Sequence, residues 1–259
     1  MTFAVAITGK GGTGKTMLTA LLIIHLLRKT NGKIKILGVD ADPNRNLDKV
    51  LGAKVDKTVG DLREELLNIK DKLPSSISKE QYFEYMVRNI IYEGEHFDLL
   101  VMGRPEGPGC YCYVNHLLRA ILDRISEEYD VVIMDTEAGL EHLSRRTTRD
   151  VDALVIITDP TARGIITAER IRELVMELET KVHKIYAVGN RVTSANAGRI
   201  EEELKKRGFE VLGLIPEDPY VQKLDLEGKP FTNLPENSPA YQAVEKIADK
   251  LFSHLINTA

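Results

Sequence analysis

A glycine-rich stretch near the start of the chain has the residue types and the spacing to hold phosphate groups. It matches the pattern G-x-x-x-x-G-K-[ST] and consists of Gly9, Lys10, Gly11, Gly12, Thr13, Gly14, Lys15 and Thr16, followed by Met17. Glycines let successive backbone N–H groups face phosphates, and we expect Lys15 to contact the β- and γ-phosphates and the Thr16 hydroxyl to ligate Mg²⁺. The alternative is a glycine-rich turn that binds nothing. A predicted strand before the motif and a predicted helix after it favour a nucleotide site.

The only two cysteines of the chain, Cys110 and Cys112, are separated by one residue. They precede a predicted amphipathic helix at 114–128, and a helix N-terminus favours thiolates, which bind zinc, copper(I), nickel or iron–sulfur clusters. A closed tetrahedral site needs four ligands, and a symmetric dimer supplies two cysteines from each subunit. His116 is an alternative third ligand, although it lies off the apolar stripe and is better explained as a solvated residue. The cysteines are otherwise two small buried hydrophobic residues.

Acidic residues follow two of the predicted strands. Asp40 and Asp42 come after the strand at 33–39, and Asp135 ends the strand at 130–135. In an open parallel sheet, ligands bind at the carboxyl ends of the strands. These carboxylates are therefore candidates for the same site as the glycine-rich loop, although an aspartate at a strand end is also a common helix cap or turn residue.

Apolar runs that alternate with helical patterns predict the architecture that positions these residues. We predict strands at 3–8, 33–39, 97–103, 130–135, 152–158, 184–189 and 210–215, and helices that include 114–128 and 238–257. Segment 60–96 departs from the alternation and is predicted to hold two helices split at 73–76. The pattern indicates one α/β domain over residues 1–259, with a doubly wound, mainly parallel sheet of seven or eight strands flanked by helices.

Composition narrows the functional classes. The net charge of −4 gives no general attraction to nucleic acid or to an anionic membrane, so neither is an expected partner. Two cysteines cannot form a disulfide framework, and the chain begins in a strand without a basic and apolar leader. We therefore expect a cytoplasmic protein with reduced thiols.

The lysine that follows the first glycine of the loop carries a resemblance. Lys10 with its flanking glycines is similar to the deviant phosphate-binding loop of the MinD/nitrogenase-iron-protein/ParA group of dimeric ATPases. The resemblance implies that Lys10 reaches the partner subunit's nucleotide, that Asp42 positions the attacking water and that Asp40 assists through Mg²⁺ or its water shell. It further implies that Asp135 senses the metal and the γ-phosphate, and that Gly139 is a hinge. A solvated loop lysine is the alternative for Lys10.

The residues after two later strands bear on the choice of base. Guanine-specific P-loop proteins use Asn-Lys-x-Asp, but here Thr193 stands in place of the carboxylate, which favours ATP over GTP. By resemblance to the same group, Asn190 bonds the adenine, and Arg191, Pro216 and Asp218 belong to the base pocket.

Segment 97–115 resembles the CooC family, the accessory ATPases of nickel insertion into carbon monoxide dehydrogenase. The resemblance extends from Lys10 through Asp42, the C-x-C segment and Asp135 to Asn190. It implies a homodimer that binds ATP or ADP with Mg²⁺, holds Ni²⁺ or Zn²⁺ through Cys110 and Cys112 of both subunits, and serves carbon monoxide dehydrogenase as client.

Three alternatives remain at this stage. Relatives of the CooC family that mature acetyl-CoA synthase are hard to separate by motif. Segments 39–44 and 134–139 resemble the two switch segments of the same ATPase group. An electron donor like the nitrogenase iron protein takes its second cysteine from near the second of these segments, but residues 135–149 contain none. A spatial organiser of the MinD or ParA type needs no C-x-C, and the amphipathic stretch 241–256 is better explained by docking on the core than by membrane binding.

Overall fold

A single twisted sheet organises the part of the chain that the computed structural model describes, which is residues 2–62, 65, 78–104, 120–136, 151–177 and 182–256. Within these residues the sheet has eight strands in the order β3-β4-β2-β5-β1-β6-β7-β8. They are β1 (Phe3–Gly9), β2 (Ile36–Asp40), β3 (Tyr92–Glu93), β4 (Asp98–Val101), β5 (Val131–Asp135), β6 (Val151–Thr158), β7 (Val182–Val192) and β8 (Glu210–Pro216). All neighbours pair in parallel except β3 with β4. The predicted mainly parallel α/β fold is confirmed.

Helices cover both faces of this sheet. They are α1 (Lys15–Thr30), α2 (Leu47–Leu51), α3 (Lys79–Asn89), α4 (Ala162–Glu177), α5 (Ala197–Lys206), α6 (Pro219–Glu227), α7 (Pro239–Leu251) and α8 (Ser253–Ile256), with a 3₁₀ turn at Phe231–Asn233. Residues 120–126 are also helical. Across the described ranges, none of the helices is both long and apolar enough to cross a bilayer.

The core has two layers because the strands are apolar on both sides. In β1, Val5 and Ile7 join the cluster that includes α1 and α7, whereas Ala6 joins the cluster that includes α3, α4 and α5. Side chains of a strand alternate between the two faces, so a continuous apolar run fills both layers. The sheet is therefore held from both sides, and its strand ends form a fixed edge on which a site can be built.

Several boundaries differ from the predicted ones. Strand β3 was not predicted, since two residues at an antiparallel edge carry no periodic signal. The predicted helix at 238–257 ends at Leu251 and continues, after Phe252, as the short helix α8. Its predicted start is confirmed, because the Ser238 hydroxyl caps α7 by accepting from the Tyr241 N–H at 3.1 Å. The predicted break at 73–76 and the predicted helix start at 114 lie outside the described residues.

Candidate functional site

The glycine-rich loop joins the carboxyl end of β1 to the first turn of α1. Gly14 is the N-cap of α1 with φ +97°, and no described side chain caps this helix. Within the loop, the Thr13 hydroxyl donates to the Lys10 carbonyl at 2.8 Å. The loop therefore presents the N–H groups of an uncapped helix N-terminus at the edge of the sheet, which is a favourable environment for an anion.

Two polar side chains of the first turn of α1 face the neighbouring strand end. Lys15 is buried, and the Thr16 hydroxyl donates to Asp135 Oδ2 at 2.6 Å. Asp135 is fully buried, and its Oδ1 has no partner among the described residues. Burial raises the pKa of Asp135 to about 7, although the hydrogen bond from Thr16 and the charge of Lys15 act in the opposite direction. A hydroxyl beside a carboxylate with an orphaned oxygen fits the oxygen ligands that Mg²⁺ prefers.

The carboxylate of Asp40, at the end of β2, accepts its hydrogen bonds from the loop that follows this strand. Its Oδ1 accepts from the Asp42 N–H at 3.1 Å, and its Oδ2 accepts from the N–H groups of Asn46 and Leu47 at 3.0 Å. Burial raises the pKa of this carboxyl to about 6, although the backbone hydrogen bonds lower it. These hydrogen bonds to backbone N–H groups fit the alternative given for Asp40 in the sequence analysis, that of a turn or helix-cap residue. A role of Asp40 toward Mg²⁺ stays a prediction.

Asp42 lies on the loop between β2 and α2 and lines the same cleft as the glycine-rich loop. Its Oδ1 accepts two hydrogen bonds from Asn44, at 2.8 Å from the backbone N–H and at 2.9 Å from Nδ2. Asn44 in turn accepts from Arg104 at 3.1 Å. Sequence reasoning missed both Asn44 and Arg104. The available signal for Asn44 was its position two residues after an aspartate, which is the spacing of an Asx turn.

The cleft has a volume of about 780 Å³. It is lined by most of the predicted nucleotide-binding residues, which are Gly11, Gly12, Gly14, Lys15, Thr16, Met17, Asp42, Asn190, Arg191, Pro216 and Asp218. Ligand pockets of roughly 300–1,000 Å³ suit small molecules and cofactors, so the cleft has the size and the polar groups for a nucleotide. The structure thus brings these residues together at one edge of the sheet. Lys10 is exposed beside them.

Asn190, near the end of β7, is fastened to the glycine-rich loop. Its Nδ2 donates to the Thr13 carbonyl at 2.7 Å, and its Oδ1 accepts from the Arg191 N–H at 2.9 Å. A Cβ on Gly14 would lie 2.3 Å from this Nδ2, so only glycine permits the contact. One of the two amide hydrogens is therefore used to hold the loop. Bonding to adenine stays a prediction for the remaining hydrogen.

Asp218 connects two helix N-termini at the far wall of the cleft. Its carboxylate accepts from the N–H groups of Tyr220 and Ala240, at 2.7 and 2.9 Å, and from the Ser238 hydroxyl. Asp218 is buried and caps α6. The carboxylate thus accepts three hydrogen bonds that hold the starts of α6 and α7. Its predicted place in a base pocket remains a prediction.

Several predicted residues are outside the described part of the chain. Cys110, Cys112, His116 and Gly139 belong to residues 105–119 and 137–150, so the predicted thiolate site and hinge have no described geometry. In the part of the chain that the structure covers, no group of three or more His, Cys, Asp or Glu side chains forms a candidate metal site.

Comparisons with known proteins agree with this geometry. Residues 4–231 match the family model described as CobQ/CobB/MinD/ParA nucleotide binding domain. An uncharacterized ATP-binding protein of Methanocaldococcus jannaschii is 48% identical over 96% of this chain and 98% of its own length. The carbon monoxide dehydrogenase accessory protein CooC of Rhodospirillum rubrum is 29% identical over 86% of this chain and 87% of its own length.

A solved structure shows the same fold. The septum site-determining protein MinD of Pyrococcus horikoshii, complexed with Mg-ADP, superposes with a TM-score of 0.73 at 20% identity, covering 100% of this chain and 99% of that one. The family match spans most of the sequence, and it includes the glycine-rich loop and both acidic strand ends. The chain therefore belongs to the CobQ/CobB/MinD/ParA nucleotide-binding domain family, and it is a P-loop ATPase.

Proposed function

We propose that this protein is a homodimeric, ATP-hydrolysing metallochaperone of the CooC type, built as a single domain over residues 1–259. It carries Ni²⁺, or Zn²⁺ in its place, on Cys110 and Cys112 of both subunits, and it assists nickel insertion into carbon monoxide dehydrogenase. The observation that carries the proposal is the C-x-C motif in a chain that is similar to the CooC protein over 86% of its length. A MinD- or ParA-type organiser, the competing function considered above, needs no such cysteine pair.

The nucleotide half of the proposal rests on the cleft at the strand ends. The N-terminus of α1 and Lys15 balance the phosphate charge, and Thr16 and Asp135 are the residues that would hold Mg²⁺. A Mg²⁺ ion held by these two residues would supply positive charge to offset that of the phosphates. Asp42 accepts a hydrogen bond from a water that attacks the γ-phosphorus. The bond between that phosphorus and the β,γ-bridging oxygen breaks, and the water's proton leaves with the phosphate or to solvent.

Lys10 has a role that only a second subunit makes possible. It is exposed at the rim of the cleft, whereas Lys15 of the same loop is buried against the site. An exposed cation at this position can approach the nucleotide of a facing subunit, as an arginine finger does in other phosphoryl-transfer enzymes. Nucleotide binding then favours the closed dimer, because Lys10 contacts the partner's phosphates in that state alone.

The metal is cargo that the dimer picks up and releases. Four thiolates from two subunits give the coordination number that zinc prefers and that nickel accepts. Closure by ATP brings the two cysteine pairs together, and opening after hydrolysis separates them. This coupling requires ATP to bind the closed dimer more tightly than the open one, because a nucleotide that binds both states equally does not shift the equilibrium between them.

A spatial organiser is the second candidate function. The septum site-determining protein MinD of Bacillus subtilis is 25% identical over 254 residues, so this reading has support from similarity as well. Membrane attachment through the C-terminal helix is disfavoured, however, because the apolar residues Val244, Ile247 and Leu251 of α7 are already buried in the core. Maturation of acetyl-CoA synthase is the alternative within the metallochaperone class.

The test measures metal binding, subunit mass and ATP hydrolysis on the same reduced protein. We expect one Ni²⁺ or Zn²⁺ per dimer, loss of this metal when Cys110 and Cys112 are replaced by Ser, and retention of both metal and mass in the control His96→Gln, which removes an exposed imidazole. If ATP causes dimerisation but no metal is bound, the metallochaperone function is rejected and the spatial organiser described above is the better-supported function. Metal loading with no ATP hydrolysis would reject the ATP-driven cycle.

A further inference from the structure

Asp42 is held through one of its two carboxylate oxygens. Asn44 donates to Oδ1 twice, from its backbone N–H at 2.8 Å and from Nδ2 at 2.9 Å. No described residue donates to Oδ2. A carboxylate that is fixed through one oxygen keeps a defined direction for the lone pairs of the other. The Asn44 contacts thus determine where Asp42 can accept a further hydrogen bond.

Arg104 determines the orientation of the Asn44 amide. Its Nη2 donates to Asn44 Oδ1 at 3.1 Å. A guanidinium carries only donors and is always charged, so the amide oxygen must face Arg104 and the NH₂ group must face Asp42. The flipped amide would direct Oδ1 at a carboxylate and NH₂ at a cation, and both contacts are repulsive.

The backbone of Arg104 is itself fixed relative to the Asp42 loop. Strand β4 lies beside β2, and beyond the paired region the Met102 N–H donates to the Asp40 carbonyl at 2.8 Å. The Gly60 N–H donates to the Met102 carbonyl at 2.9 Å. A Cβ on Gly60 would lie 2.3 Å from the Arg104 carbonyl oxygen, so residue 60 must be glycine for this approach. The backbone that leads to Arg104 is therefore hydrogen-bonded to the end of β2 and packed against Gly60, which places Arg104 beside the loop that carries Asn44.

We propose that Asn44 and Arg104 are positioning residues for ATP hydrolysis, which hold Asp42 Oδ1 so that Oδ2 is directed at the attacking water. The proposal rests on the role assigned to Asp42 in the proposed function. Arg104 does not line the cleft, and its guanidinium is joined to the cleft by the hydrogen bond to Asn44, so we infer that its effect on catalysis passes through Asn44. Loss of this contact lets the amide flip and the carboxylate rotate, without removing any group that binds ATP.

The first experiment separates turnover from nucleotide affinity. Arg104→Ala should lower kcat for ATP about tenfold, which corresponds to about 1.4 kcal/mol, and leave KM within about twofold. Arg104→Lys retains a donor and should recover part of the rate. The matched control is Arg124→Ala, which removes a similarly exposed arginine that is paired with Glu84 at 2.7 Å. A raised KM with kcat unchanged would overturn the proposal, because it would show that Arg104 contributes to binding.

The second experiment places Arg104→Ala in an Asp42→Asn background under single-turnover conditions. If Arg104 acts through Asp42, the double variant hydrolyses ATP at the rate of Asp42→Asn alone. A further loss of about tenfold in the double variant would overturn the positioning role. Asp42→Asn alone with wild-type activity would instead reject the role of Asp42 in the proposed function, so the two failures are distinguishable.

Discussion

Replacing Asp218 by Asn tests whether this carboxylate holds the fold or recognises the nucleotide. The side chain keeps its shape but loses its charge and one acceptor. In the wild-type protein three donors converge on the carboxylate, which are the Tyr220 and Ala240 N–H groups and the Ser238 hydroxyl. An amide oxygen in place of Oδ2 keeps the bonds from Ser238 and Ala240. The new NH₂ group then faces the Tyr220 N–H.

The expected loss of stability follows from these contacts. One hydrogen bond to a buried charged group is broken and its donor is left unsatisfied, which costs about 1–3 kcal/mol. A negative charge at the N-termini of α6 and α7 is also removed, at roughly 0.3–1 kcal/mol for each helix. We therefore expect Asp218→Asn to lower the free energy of unfolding by about 2–5 kcal/mol. The ATP dissociation constant should change by less than about threefold, since the carboxylate is occupied by the protein.

Urea unfolding and calorimetric ATP titration at a temperature well below the unfolding transition measure the two quantities. Asp225→Asn is the matched control, because it makes the same substitution on the same helix at an exposed position that also lines the cleft. If the free energy of unfolding of Asp218→Asn is within about 0.5 kcal/mol of wild type and its ATP affinity is at least tenfold weaker, the structural role of Asp218 is refuted. That result would place Asp218 in the base pocket.

Three further outcomes are expected. Burial raises the pKa of Asp135 from 3.8 to about 7, so the free energy of unfolding of the wild type falls as pH rises between these values. In urea unfolding, the stability of Asp135→Asn relative to wild type should therefore increase by roughly 1.4 kcal/mol per pH unit in this range. A stability difference that does not depend on pH would contradict this. Asn190→Asp places an oxygen 2.7 Å from the Thr13 carbonyl oxygen, and this repulsion should lower the free energy of unfolding by about 2–4 kcal/mol. Calorimetry should also show weaker ATP binding. Unchanged ATP affinity would count against the role of Asn190 in holding the glycine-rich loop. Lys10→Ala should bind ATP without hydrolysing it. In an equimolar mixture with Asp42→Asn, half of the dimers are mixed and one of their two sites is complete, so about a quarter of wild-type activity should be recovered. No recovery of activity would show that Lys10 acts within its own subunit.

The fold was predictable because its signals are local. Near-continuous apolar runs such as Val131–Asp135 predict strands buried on both faces, and the glycine-rich loop is recognisable from its own eight residues. Short elements lack such signals, and β3 has only the two residues Tyr92 and Glu93. The Ser238 cap was visible in the sequence because capping residues adjoin the helix that they cap.

The candidate site was predictable in its membership more than in its contacts. Position at a strand end indicated Asp40, and the family resemblance indicated Asp218, but the partners of both depend on how loops and helices meet in three dimensions. Asp218 accepts from Ala240, which is 22 residues away, and Arg104 reaches Asn44 across 60 residues. No periodicity or motif encodes such contacts. For the same reason the sequence did not indicate that Asn190 holds the glycine-rich loop.

The coupling of nucleotide state to metal is the central claim, and equilibrium dialysis of nickel against the reduced protein tests it most directly. The protein is dialysed with Mg²⁺ and either ATP, in the hydrolysis-deficient Asp42→Asn background, or ADP. We predict one nickel per dimer with ATP, at least tenfold weaker binding with ADP, and no difference between the nucleotides when Cys110 and Cys112 are replaced by Ser. Equal nickel affinity with ATP and ADP would contradict the account, because the nucleotide would then have no means to drive metal release.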